Sequence, residues 1–110
     1  MMASDDRRSN QRFQAKPGNR IIYGATSADI RDLSVDGVFV SDPDPLPVGS
    51  EIIFDLKAGE QEISLEGIVR HTEDREGMGI QFTNVSSVSK RRLRIHIAGL
   101  VPAPDQAVKV

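Results

Sequence analysis

Cysteine is absent from this 110-residue chain, which removes disulfides, thiolate metal sites and thiol nucleophiles together. Histidine is scarce. His71 and His96 fall on what read as different elements, so a zinc site would need two carboxylates to converge with them, and no metal or cofactor is expected. Tryptophan is missing, and one tyrosine with four phenylalanines leaves few platforms for stacking a run of bases. No apolar run approaches the roughly 20 residues of a membrane span, and residues 1–10 lack the apolar core of a secretory signal. A cytoplasmic address is the default expectation, and the lack of cysteine agrees with it. With no Walker-type glycine loop and no Ser-His-carboxylate grouping in view, the chain is not expected to be an enzyme.

What is present is one domain's worth of residues with an uneven charge. The net charge of −2 divides into +3 over residues 1–20, which hold Arg7, Arg8, Arg12, Lys16 and Arg20 against Asp5 and Asp6, and −5 over the rest. A body this acidic repels a long polyanion, which disfavours general binding of DNA or RNA. A small anionic ligand gripped by a few arginines is still allowed.

Patterning is that of a β protein. Arg20 to Tyr23 and Asp29 to Leu33 read as strands joined around Ser27, and Val38 to Val40 as a short strand opened by Asp36-Gly37, a dipeptide that favours a turn with positive φ. Pro43, Pro45, Pro47 and Gly49 make the next stretch a stiff surface connection. Ile52, Phe54 and Leu56 alternate with Ile53, Asp55 and Lys57, and Ile63, Leu65 and Gly67 with Ser64, Glu66 and Ile68, across a turn at Ala58 to Gln61. The second run extends to His71, a loop spans Glu73 to Gly77, and Met78 to Phe82 makes a last strand. About six strands with short local connections predict an antiparallel barrel or sandwich. From Ser87 to Ala98 the pattern turns helical, with Val88, Leu93 and Ile97 near helical spacing, Ser87 or Ser89 available to cap, and Gly99 as a stop. Val101 to Val110 reads as a loose tail.

Two motifs carry candidate chemistry: Arg7-Arg8-Ser9-Asn10-Gln11-Arg12 and Asp32-Leu33-Ser34-Val35-Asp36-Gly37. Arginine offers a planar fork of donors that suits phosphate oxygens and the O6/N7 edge of guanine, and a carboxylate accepts from guanine's N1 and N2 hydrogens. Ser34 adds a hydroxyl, and Gly37 a place where backbone approaches closely. Each motif alone has a plain explanation: a basic tail is usually solvated charge, and Asp or Ser before Gly is usually turn chemistry. Their conjunction is rarer and points to a guanine-containing phosphodiester. Arg70 and His71, ending an inner strand, either face a ligand or mark where the strand meets water, and the usual polarity of strand ends favours the second. His96 reads as a surface or capping residue, and Lys90 to Arg94 as a solvated helix face.

This conjunction resembles the PilZ domain, a bacterial family that includes receptors for cyclic di-GMP. Arg8 to Arg12 stands as RxxxR, Asp32 to Gly37 as (D/N)xSxxG, and Gly77-Met78-Gly79-Ile80-Gln81-Phe82 as the family's late GxGIxF strand, the likeness running from about Arg7 to Gly99. The resemblance implies a six-stranded antiparallel β-barrel with a C-terminal helix. Residues 1–12 would be a flexible segment carrying RxxxR, 13–99 the barrel and helix, and 100–110 a tail.

It also implies site residues. Arg8 and Arg12 would grip phosphates and guanine Hoogsteen edges, Asp32 and Ser34 would read a guanine, and Gly37 would shape the corner that admits it. An arginine just before RxxxR, as Arg7 is, goes in this family with a stacked pair of cyclic di-GMP molecules. The expected function is a cyclic di-GMP-binding signalling adaptor that orders its arginine segment on the ligand and relays the signal to a separate, unidentified protein as a monomer or homodimer. The alternative is a PilZ-like protein–protein adaptor that does not bind the nucleotide.

Overall fold

A computed structural model describes residues 11–102. Along the chain run β1 (Phe13–Gln14), β2 (Arg20–Tyr23), β3 (Thr26–Leu33), β4 (Gly37–Ser41), β5 (Glu51–Ala58), β6 (Gln61–Glu73), β7 (Gly77–Thr83), helix α1 (Ser87–Ile97) and β8 (Val101–Pro102). Strands β2, β5, β6, β7, β4 and β3 pair in that order, and β3 pairs back onto β2, so six antiparallel strands close into a barrel. Closure satisfies the edges that an open sheet would expose. This is the expected six-stranded antiparallel barrel with a C-terminal helix.

Alternation explains the core. In β5, Ile52, Phe54, Leu56 and Ala58 point inward, and across the hairpin Ile63, Leu65 and Val69 of β6 meet them. The hairpin turns on Gly59, whose φ of 64° suits a residue without a Cβ. The first hairpin differs from expectation. It turns at Gly24-Ala25, with Tyr23 opposite Thr26, and Ser27 lies within β3 opposite Ile22. Gly24 adopts a φ of 56°, so a two-residue turn suffices and the strand begins earlier. At the start of the proline-rich connection, the buried Asp42 carboxylate accepts hydrogen bonds from the Tyr23 hydroxyl and from the Asp44 amide at 2.9 Å.

Helix α1 is capped by Ser86, whose Oγ accepts from the Ser89 amide at 3.1 Å, and not by Ser87 or Ser89 as expected. Leu93 and Ile97, one turn apart, enter the barrel core. Val88 does not join them and is 66% exposed, because five residues from Leu93 place it about 140° round the helix. Lys90, Arg91, Arg92 and Arg94 are exposed, the solvated face expected of them. Among the described residues no helix is long and apolar enough to cross a membrane.

Two short strands were not legible in the pattern. β1 pairs with the end of β3 through Phe13 opposite Leu33 and Gln14 opposite Asp32, and β8 pairs with β1 through Val101 and Pro102. The first two residues of the stretch read as a loose tail are therefore hydrogen-bonded. Between β1 and β2 the chain turns at Pro17-Gly18, with Gly18 at a φ of 92° and the Asn19 amide donating to the Lys16 carbonyl at 3.1 Å. The Asn19 carbonyl then accepts from the Ile30 amide at 2.9 Å, and its buried side-chain amide lies 3.2 Å from His96 Nε2. His96 thus ties the helix to the segment that carries Arg12. Burial, and next the charge of Lys16, hold its pKa below the usual histidine range.

Truncating Leu93 to alanine is expected to lower unfolding free energy by about 2–5 kcal/mol in denaturant titration, while Ile95→Ala, at an exposed position, changes it by less than ~0.5 kcal/mol. Because the folded state depresses the His96 pKa, its contribution to stability is present above about pH 6.5 and is lost as pH falls below that. Thermal melts at pH 7.5 and 5.5 are expected to show a smaller loss on acidification for His96→Gln than for wild type.

Candidate functional site

The site is set by two β-bulges. In β3 the register slips between Ile30 and Asp32, and in β6 between Val69 and His71, so that Arg31 and Arg70 are the extra residues. Each bulge reverses the phase of alternation. Asp32, two residues beyond the inward Ile30, would otherwise point into the core, and Leu33 takes that place instead. His71, two residues beyond the inward Val69, is likewise turned to the outside and is exposed.

Asp32, Phe39, Gly79 and His71 then form a cross-strand row on the outer surface, each opposite the next. Phe39 lies between the inward Val38 and Val40, yet it is only 2% exposed. The Arg31 guanidinium sits 3.8 Å from its ring centroid, and the His71 ring packs on it at a centroid distance of 5.6 Å. Gly79 makes this possible, since a Cβ there would lie 2.6 Å from His71 Cε1.

Arginines hold the Asp32 carboxylate. Arg12 Nε donates to Oδ1 at 2.7 Å and its Nη2 reaches the same oxygen, while Arg31 Nε donates to Oδ2 at 3.3 Å. Arg31 also reaches Glu73 at 3.5 Å. Beyond Asp32 the chain turns the corner from Ser34 to Gly37. Ser34 Oγ accepts from the Asp36 amide at 3.1 Å, the Ser34 amide donates to the Gly37 carbonyl at 2.8 Å, and the Asp36 carbonyl accepts from the Phe82 amide at 2.8 Å. Positive φ at Asp36-Gly37 was expected and is not adopted. Gly37 is needed instead for close approach, because a Cβ there would sit 2.5 Å from the Ile80 carbonyl oxygen.

These elements enclose a shallow hollow of about 360 Å³ lined by Arg12, Ser34, Asp36, Gly37, Arg70, His71, Gly79, Ile80 and Gln81. Of the expected site residues, Arg12, Ser34 and Gly37 line it directly. Asp32 stands behind Arg12, and Arg7 and Arg8 lie outside the described residues. Arg70 and His71, read as a strand end meeting water, are exposed and line the same hollow. Gln81 was missed, although its place between the inward Ile80 and Phe82 marks it as outward. A larger hollow of about 500 Å³ lies by Glu51, Ile53, Glu66 and Ile68, but two carboxylates and no cation in its lining suit an anion poorly. No group of three His, Cys, Asp or Glu side chains converges as a metal site among the described residues.

The family model for the PilZ domain matches residues 6–99. The chain belongs to the PilZ domain family. Solved structures agree with the fold. A Legionella protein described as uncharacterized superposes with a TM-score of 0.61 at 18% identity, covering 76% of this chain and 86% of that one. The PlzA protein of Borreliella burgdorferi, solved in complex with c-di-GMP, superposes with a TM-score of 0.60 at 16% identity, covering 86% of this chain but 43% of PlzA. This PilZ chain therefore spans less than half of PlzA. No curated protein matches it.

The packing reading of Gly37 is tested by Gly37→Ala, which is expected to cost about 1–3 kcal/mol in denaturant unfolding, since the obstructing atom is β7 backbone.

Proposed function

We propose that this PilZ domain is a receptor for cyclic di-GMP that passes the signal to a partner protein. The observation that carries the reading is the meeting of Arg12, Ser34 and Gly37, from two motifs 20 residues apart, in one hollow with Asp32 beside it. PlzA, a structure of the same fold, was solved with this nucleotide.

In this reading Arg12 has two alternative partners. Without ligand its guanidinium lies on Asp32, a part-buried ion pair. With ligand, Arg12 turns to a phosphate or a guanine O6/N7 edge, joined by Arg8, and Asp32 is released to accept from guanine N1 and N2 hydrogens. Ser34 contributes its hydroxyl nearby, and Arg7 favours a second, stacked nucleotide by placing another guanidinium against a base and offsetting the added phosphate charge. The ligand need not be altered. What changes is the population of arginine-segment conformations, ordered against the barrel to form a surface that a partner recognises.

Isothermal titration calorimetry with cyclic di-GMP, GTP and cyclic di-AMP checks this. Saturable binding selective for cyclic di-GMP is expected, with a stoichiometry near two falling towards one in Arg7→Ala. Arg12→Ala and Asp32→Ala are each expected to weaken binding by tenfold or more, on the order of the 1–3 kcal/mol of a bidentate contact. A folded wild-type sample that does not bind overturns the reading and favours the ligand-independent adaptor.

A further inference from the structure

We infer that Arg70 and His71 form a second base-reading wall of the hollow, the His71 ring stacking on a guanine and Arg70 donating to the O6/N7 edge of that same base. The inference rests on the receptor reading and assigns a role to residues outside both motifs.

The bulge is the first ground. In a regular strand consecutive side chains face opposite ways, whereas here Arg70 and His71 both line one hollow. A flat ring and a planar donor fork thereby border the same hollow, the two groups that a stacked base with an edge to be read requires.

The second ground is how each is held. Arg70 Nε donates to Gln81 Oε1 at 2.6 Å, the only side-chain hydrogen bond of Arg70 among the described residues, so the guanidinium is oriented while its two terminal amino groups remain available. The His71 ring is backed by Gly79 and by Phe39, yet its side chain is 60% exposed. A ring backed on one side and open on the other is a stacking surface.

The third ground is chemistry. Guanine offers two acceptors, O6 and N7, to a guanidinium, whereas adenine places an amino donor where O6 would be. An arginine on this wall therefore selects guanine over adenine, and it does so from the side of the hollow opposite the motif residues of β3 and the β3–β4 corner. Gln81 acts as a positioning residue through Arg70.

The test is calorimetry on the full chain with cyclic di-GMP and its 7-deaza analogue, which lacks the N7 acceptor. Arg70→Ala is expected to weaken cyclic di-GMP by about tenfold, and the penalty for the deaza analogue, large in wild type, is expected to shrink in Arg70→Ala. Adding Gln81→Ala to Arg70→Ala is expected to change affinity little further, since Gln81 acts through the arginine. His71→Ala is expected to weaken binding and His71→Phe to retain it, with thermal melts confirming that each variant is folded. Unchanged affinity in Arg70→Ala, or a deaza penalty as large there as in wild type, overturns the wall while leaving the receptor reading intact. Wild-type protein that does not bind overturns both.

Discussion

The period of two along a β-strand ties every side chain to the phase of its neighbours, and two single-residue slips against that constraint make the outer surface of this barrel what it is. Without the bulge at Arg31 the motif aspartate would share the inward phase of Ala28 and Ile30, an uncompensated carboxylate in an apolar core. With it, Leu33 fills the core and Asp32 meets Arg12 and Arg31 outside. The bulge at Arg70 does the same for His71. Both extra residues are arginines, whose long stems and polar heads tolerate the irregular, partly solvated places that bulges leave.

The strands between the bulges are packed through missing side chains. A Cβ on Gly77 would fall 2.0 Å from the Val40 carbonyl oxygen, and one on Gly37 2.5 Å from that of Ile80. At both places a side chain would strike the backbone of the facing strand, and Gly79 leaves its outer surface to the rings of Phe39 and His71. Gly77 and Gly79 act sterically in the late strand, with neither at positive φ.

Electrostatics divide the labour in the same way. The barrel body is acidic, yet around the hollow Arg12, Arg31 and Arg70 stand close to Asp32, Glu73 and Gln81 as partners. Such pairing keeps guanidinium groups oriented, and part-exposed ion pairs of this kind contribute only modestly to stability. The His96 to Asn19 contact links the helix to the turn that follows β1.

Much was legible in the residues themselves. Alternation in Ile52 to Leu56 and Ile63 to Val69 marked the central hairpin, the prolines after Ser41 marked the surface connection, and the two motifs, through their resemblance to the PilZ family, named Arg12, Ser34 and Gly37 as parts of one site. Strand type, helix position and the residues of the two motifs follow from local composition because propensity and alternation are properties of a single segment. The bulges, the outward turn of Asp32 and His71, the burial of Phe39 outside the core and the two-residue strands β1 and β8 were decided by tertiary structure alone. A bulge exists only between two paired strands, and which hydrogen bonds it leaves unmade depends on the partner's register, which no single stretch of sequence carries.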